Sequence, residues 1–304
     1  MTREQLLKNL ELPEGLHDAI LDTDTYNEVD DQFALAYMLR SSDRIRTRAV
    51  YAAPFFNRNS ESPEDGMEKS YAEIFKVLEL CGRTDLNDYV FKGSPCYLKD
   101  ESTPVTSPAA LHLAGLAKEY SPENPLYVIA IGAITNVASA LLLEPAVAEN
   151  CVVVWLGGHS HTWPNTKEFN MVQDIAAARV VFSSGVPVVT FPCMGVVEPF
   201  SFSRPELEAW FLDKNPLSDY LGRNVLAYWG ENAAPTATKT IWDVTAIAWL
   251  ACKSFSFDVR PVLLPDYNGL YDREHPGQPC AYVYHINKAK LAGDLVNKIV
   301  GEQK

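Results

Sequence analysis

Asp22-Thr23-Asp24-Thr25-Tyr26-Asn27-Glu28-Val29-Asp30-Asp31 places five carboxylates within ten residues. The apolar run Ala19-Ile20-Leu21 precedes it, and the helical pattern Phe33-Ala34-Leu35-Ala36-Tyr37-Met38-Leu39 follows. That order predicts a buried strand, a tight acidic loop and a helix, the repeating unit of an α/β fold. Ionised carboxylates this close repel one another, and burying even one without a partner is costly. A hard divalent cation such as Ca²⁺ or Mg²⁺ takes oxygen ligands and cancels the charge. Helix capping is the plainer use of Asp30 and Asp31, but a cap wants one acid and this loop supplies five.

Further along, the same unit recurs. Ile45 to Ala53 reads as a second strand, followed by Pro54-Phe55-Phe56-Asn57 and a polar loop, with a helix over 68–81. Strands are predicted at Tyr89-Val90-Phe91, Tyr127 to Ile131, Cys151 to Leu156 and Val186 to Phe191, most of them apolar throughout. Helices are expected from Ser107-Pro108 onward, over 137–143 and over 174–183. Beyond Ser203-Arg204-Pro205 the pattern is less regular. It reads as helices over 219–229 and 241–252, late strands over 259–264 and 281–286, and a closing helix over 288–300. Strands apolar on both faces, alternating with helices, indicate one α/β domain over residues 1–304, with a mostly parallel central sheet flanked by helices. The acidic loop, Asn57, Gly132 to Asn136 and Gly157 to Asn170 each lie just past the carboxyl end of a predicted strand. In such sheets the ligand crevice lies at those ends, so the active site is expected there.

Composition bounds the partners. The chain has 304 residues, 47% hydrophobic and 21% charged, with a net charge of −13. That balance and the lack of a basic stripe argue against nucleic acid as a partner. No apolar stretch approaches the ~20 residues a membrane span needs, and no signal peptide is read, so a cytoplasmic location is expected. Six cysteines without a CxxC pair read as free thiols, several of them buried, in a reducing compartment.

Taken in order, these motifs resemble the inosine-uridine-preferring nucleoside hydrolase family over most of the chain. Asp22-Thr23-Asp24 with Asp30-Asp31 resembles the family's opening, but with two extra residues between the pairs. Gly132-Ala133-Ile134-Thr135-Asn136 resembles its Gly-x-Leu-Thr-Asn segment. Gly157-Gly158 and Glu168-Phe169-Asn170 resemble its next motifs, and Asp243 after Trp242 its late aspartate. The resemblance implies a Rossmann-like nucleoside hydrolase architecture and hydrolysis of the N-glycosidic bond of a small-molecule ribonucleoside, in nucleoside salvage. It implies Ca²⁺ held by Asp24, Asp31, the main-chain carbonyl of Ile131 and Asp243. Asp24 would also be the general base for the attacking water, with Asp22 supporting from behind. Asp30, Asn57, Glu168 and Asn170 would grip the ribose hydroxyls, with Asn59 an alternative to Asn57. Family members are commonly dimers or tetramers, so a homo-oligomer is expected.

Two departures bear on the leaving group. Trp242 stands where non-specific members carry a His, and this resembles the purine-specific branch, whose aromatic residue stacks on the base. A π-face favours the larger purine rings. Trp163, Trp229, Tyr228 and Phe56 are further candidate walls. In the loop His159-Ser160-His161-Thr162-Trp163-Pro164-Asn165, Thr162 occupies the usual place of an Asn that Asn165 is positioned to replace. His159 and His161 are candidate leaving-group acids. Alternatives are hydrolysis of another ribosyl compound and a non-catalytic ribose- or nucleoside-binding protein. A Mg²⁺-dependent phosphatase would need a basic clamp, and no Lys or Arg stands out beside these loops.

Overall fold

The computed structural model describes residues 1–230, 233–234 and 236–301. The strands are β1 (His17–Thr23), β2 (Ile45–Ala52), β3 (Val90–Lys92), β4 (Leu126–Ala130), β5 (Cys151–Leu156), β6 (Val188–Phe191), β7 (Ser201–Ser203), β8 (Thr238–Thr240), β9 (Phe255–Pro261) and β10 (Pro279–Ile286). Among the described residues, eight of them form one sheet in the order β3-β2-β1-β4-β5-β6-β10-β9. All neighbours run parallel except the β9–β10 pair. The expected mostly parallel α/β sheet is therefore present.

Successive residues of one strand serve opposite faces, because side chains alternate along it. Ala19 and Leu21 join one apolar layer with the helices Asp31–Leu39, Val244–Ala251 and Lys288–Val300. Ile20 joins the other with Pro108–Leu116, Thr135–Leu143 and Ile175–Ser183. Every residue of helix Asp31–Leu39 is buried, which matches its nearly uninterrupted apolar sequence. Edge strand β9 is half exposed, as an antiparallel strand with one wet face should be.

Several boundaries differ from the sequence reading. The helix predicted over 68–81 begins at Pro63, because the Ser62 hydroxyl accepts from Asp65 N–H at 3.1 Å and Pro63 presets the first turn. The helix predicted over 241–252 begins only at Val244. Residues 238–240, just before the predicted start, form β8, antiparallel to β7. Three-residue strands carry too little alternation to be read by pattern.

Topology sets the site. From β1 the chain winds outward through β2 and β3, then returns to β4 on the other side of β1. The connections leaving β1 and β4 diverge, and a crevice opens between their carboxyl ends. Asp22 to Asp24 end β1 and Ile131 follows β4, joined by Ile131 N–H to the Asp22 carbonyl at 2.9 Å.

Candidate active site

At that crevice lies a cleft of about 260 Å³, a volume suited to a small molecule. It is walled by Asp30, Asp31, Asn57, Ile131, Glu168, Asn170, Trp242 and Asp243 among others. Carboxylate oxygens of Asp30, Asp31 and Asp243 lie within 4.8 Å of one another. Asp24 is wholly buried beside Asp31, within hydrogen-bond reach of it. Neither carboxylate oxygen of Asp24 has a hydrogen-bond partner among the described residues. Gly132 packs closely here: a Cβ would lie 3.1 Å from the Asp24 carboxylate and from the Ala53 methyl.

Burial drives the electrostatics. Desolvation, then the charge of Asp31, holds Asp24 well above the usual carboxylate range. Asp31 is pushed up to about 7 by burial and by Asp30, although Thr23 Oγ1 donates to it at 2.7 Å. Asp243 is raised likewise by burial and by Asp30, Asp31 and Asp24. Its side chain makes no cap hydrogen bond to its helix, so capping does not account for it. Behind them, Asp22 rises to about 7 by burial, one oxygen accepting from Asn136 Nδ2 at 2.8 Å. Asn136 in turn accepts from Ser94 N–H and Oγ, so Asn136 is a strut for Asp22.

The donor set fits a hard cation. Asp30, Asp31 and Asp243 converge, Asp24 is buried beside Asp31 with both oxygens orphaned, and the ammonium of Lys239 on Asp30 offsets only part of this charge. Asp30 is the least available of the four. Its Oδ1 accepts from Lys239 Nζ at 3.1 Å and its Oδ2 from Trp242 N–H at 3.0 Å.

Around the aspartates, polar groups are held by the backbone. Glu168 accepts from Gly158, Asn170 and Met171 N–H at 2.8–2.9 Å and caps helix Phe169–Gln173, which precedes the helix predicted over 174–183. Gly158 has φ +76°, and a Cβ there would strike the Tyr271 hydroxyl. Asn170 Nδ2 donates to the carbonyls of Ile131 and Leu156, both at 3.0 Å. Asn57 lines the cleft, but its amide donates to Asn27 Oδ1 at 2.6 Å, and Asn59 also bonds the Asn27 carbonyl.

The candidate acids part company. His159 lines the cleft, its Nδ1 accepting from Met194 N–H, and burial lowers its pKa. His161 packs at a tilt on Tyr282, ring centroids 4.4 Å apart, outside the cleft lining, and burial with Arg260 and Arg273 pulls it down to about 4. Asn165 is not brought to the wall; its Oδ1 folds back onto Lys167 N–H at 2.9 Å. Among the described residues the wall also excludes Phe56, Trp163, Tyr228 and Trp229, whereas Phe169, Cys193 and Met194 take part in it.

The sequence family model described as inosine-uridine preferring nucleoside hydrolase matches residues 19–281. The chain belongs to this nucleoside hydrolase family. It is an N-ribohydrolase, acting on the N-glycosidic bond of ribonucleosides. Relatives include a pyrimidine-specific ribonucleoside hydrolase, RihA, of Citrobacter koseri, 26% identical over 252 residues, or 73% of this chain and 75% of that one. A purine-preferring ribonucleoside hydrolase from Gardnerella vaginalis shares the fold, with TM-score 0.74, 18% identity and coverage of 93% and 98%. A plant nucleoside hydrolase does too, with TM-score 0.74, 16% identity and coverage of 94% and 99%.

Sequence pattern did not single out two loop residues and two lysines at this nucleoside hydrolase's cleft. Asn27 and Glu28 reach the cleft wall, and Lys167 lines it as well. Lys239, 6% exposed, sits behind Asp30 with Nζ bonded to Glu28, Asp30 and the Thr240 carbonyl. The expectation that no lysine stands by these loops is thus corrected. All three N–H groups of Lys239 are taken, so it makes no phosphate clamp.

Proposed function

We propose that the cleft hydrolyses ribonucleosides, purine nucleosides foremost, over a calcium ion held by Asp24, Asp31, Asp243 and the Ile131 carbonyl. The observation carrying the cation is the orphaned carboxylate of Asp24 beside three converging aspartates. Asp24 is placed in the ligand set because neither of its oxygens has a donor among the described residues, whereas Asp30, held by Lys239 and the Trp242 N–H, is assigned to the ribose. When bound, the cation cancels carboxylate charge, accepts hydroxyl oxygens and acidifies water.

The chain's own residues supply the rest. Asp24 takes the proton of the water that attacks C1′, and the anionic wall favours the positive charge developing on the ribosyl ring. Asp30, Glu168 and Asn170 orient the ribose hydroxyls, while Asn57 braces Asn27 beside them. Trp242, half-buried on the cleft wall, offers its indole face to the departing base. His161 is not assigned the leaving-group proton, because its ring packs against Tyr271 and Tyr282 and does not line the cleft.

Pyrimidine nucleosides are the second reading, favoured by the stated specificity of the RihA relatives. A non-catalytic binder has no use for a free carboxylate at Asp24. The test is release of free ribose from a panel of nucleosides, with and without chelator. No turnover of any ribonucleoside by the calcium-loaded chain overturns the reading. Faster cleavage of uridine than of inosine replaces purines by pyrimidines as the favoured class.

A further inference from the structure

We propose that Lys239 is a positioning residue, which locks the Asp30 carboxylate for the ribose diol and ties the long loop to the cleft through Glu28. This rests on the ribonucleoside reading of the same cleft.

Lys239 comes from β8, 209 residues from Asp30 in sequence. Its ammonium is buried, which would be costly unless its charge and all three protons were met. They are met by Glu28 Oε2 at 2.6 Å, Asp30 Oδ1 at 3.1 Å and the Thr240 carbonyl at 2.9 Å. Tyr228 closes the outer side, its hydroxyl 3.3 Å from Glu28 Oε1 and its ring 5.8 Å from Nζ. Asp30 is gripped at its second oxygen by Trp242 N–H, so its carboxylate plane is held from two sides. An ion pair alone leaves that plane free to turn, whereas two fixed donors aim the remaining lone pairs into the cleft.

Glu28 belongs to the segment between Asp24 and Asp30, and it also lines the cleft. Across the loop, Asn27 is bonded by Asn57 and Asn59. The loop is therefore fastened at Glu28 by Lys239 and at Asn27 by two asparagines. Lys239 acts through Asp30 and does not touch substrate.

The test compares Lys239→Met, Glu28→Gln and the double variant of the full chain, loaded with Ca²⁺. Steady-state kcat and KM are measured on a ribonucleoside and its 2′-deoxy counterpart, with hydrogen exchange of amides 25–29. In K239M the ribo-to-deoxy ratio of kcat/KM should fall at least about tenfold, with KM for the ribonucleoside raised. E28Q should move both readouts in the same direction by less, and the double variant should be no worse than K239M, as coupled groups behave. Exchange of 25–29 should quicken in both single variants. A merely structural lysine lowers kcat for both substrates alike, and an unchanged ratio in K239M overturns the proposal. If K239M does not fold, E28Q decides: an unchanged ratio and unchanged exchange overturn it. A wild-type chain that cleaves no ribonucleoside overturns the functional reading and this role together, whereas an active wild type with an unmoved ratio in the variants overturns this role alone.

Discussion

The side-chain amide of Asn170 donates to the main-chain carbonyl of Ile131 at 3.0 Å, and with its second N–H to that of Leu156. One buried side chain thus ties the carboxyl ends of β4 and β5 and aims the carbonyl proposed to face the cation. Asn170→Leu leaves two buried acceptors unpaired, so a loss of about 2 kcal/mol in stability is expected by denaturant titration. Calcium affinity should weaken together with stability. Tight calcium binding in a destabilised variant would remove Ile131 from the ligand set.

Asp24 is tested by substitutions of different size. Asp24→Ala should keep the fold and abolish ribose release; retained hydrolysis would contradict the assigned base. Asp24→Asn keeps the shape and removes one charge from a crowded, buried group. Its hydrolysis should fall by more than about 100-fold, the lower range for a lost general base. Its metal-free form should melt higher than the metal-free wild type, because repulsion with Asp31 is relieved.

Stability of the metal-free chain should depend on pH in a defined direction. Asp22 and Asp31 are pushed up to about 7 in the folded state by burial. An unfolded aspartate titrates near 4. The folded state then holds protons the unfolded state lacks, so this stabilisation is full below about 4 and is lost as pH rises through about 7. Calcium displaces those protons and its benefit grows over the same interval. Melting with chelator and with Ca²⁺ at pH 5 and pH 7.5 should show the larger calcium gain at pH 7.5. Equal gains would argue that Asp31 does not hold the ion.

Trp242 presents a choice between base classes. Trp242→Ala should lower kcat/KM for inosine about tenfold, the scale of one lost stacking contact, and lower that for uridine less. A uniform loss on both would place the indole's importance in packing alone.

His161 supplies a control for the leaving-group assignment. His161→Phe should leave the pH dependence of kcat/KM unchanged, since the ring lies against Tyr282 and Tyr271 outside the cleft. The buried imidazole, drawn down to about 4, favours the folded state above the ordinary histidine range and loses that contribution as pH falls from about 6.5 toward 4. The variant should therefore be less sensitive to acid than the wild type in a melting series. A shifted activity profile would return His161 to the chemistry.

Much of the site was legible because its residues sit where strand patterns end. Asp24, Asp31, Ile131 and Asp243 are each flanked by apolar runs whose period announces an element, and a parallel sheet brings such ends to one edge. Less legible were residues whose role depends on a partner far away. Asn57 reads as a ribose contact by position, yet its amide is turned toward Asn27. Asn165 sits in a suitable loop, but an Asx turn onto Lys167 takes its side-chain oxygen. Phe56 and Trp163 are as aromatic as Trp242, and which ring meets the cleft is a matter of packing.

By itself, the sequence determined the layered α/β architecture, the acidic loop at the end of the first strand and the chemistry of hard oxygen ligands. Those follow from local periodicity and from the cost of crowding carboxylates, which short-range spacing expresses. Only the tertiary structure decided which carboxylate stays orphaned and which is claimed. Asp30 and Asp24 look alike in the chain. Folding delivers Lys239 and the Trp242 N–H to Asp30 and no donor to Asp24. The physical reason is that hydrogen bonds and ion pairs act over a few ångströms of space, and a separation of 209 residues carries no trace of that distance.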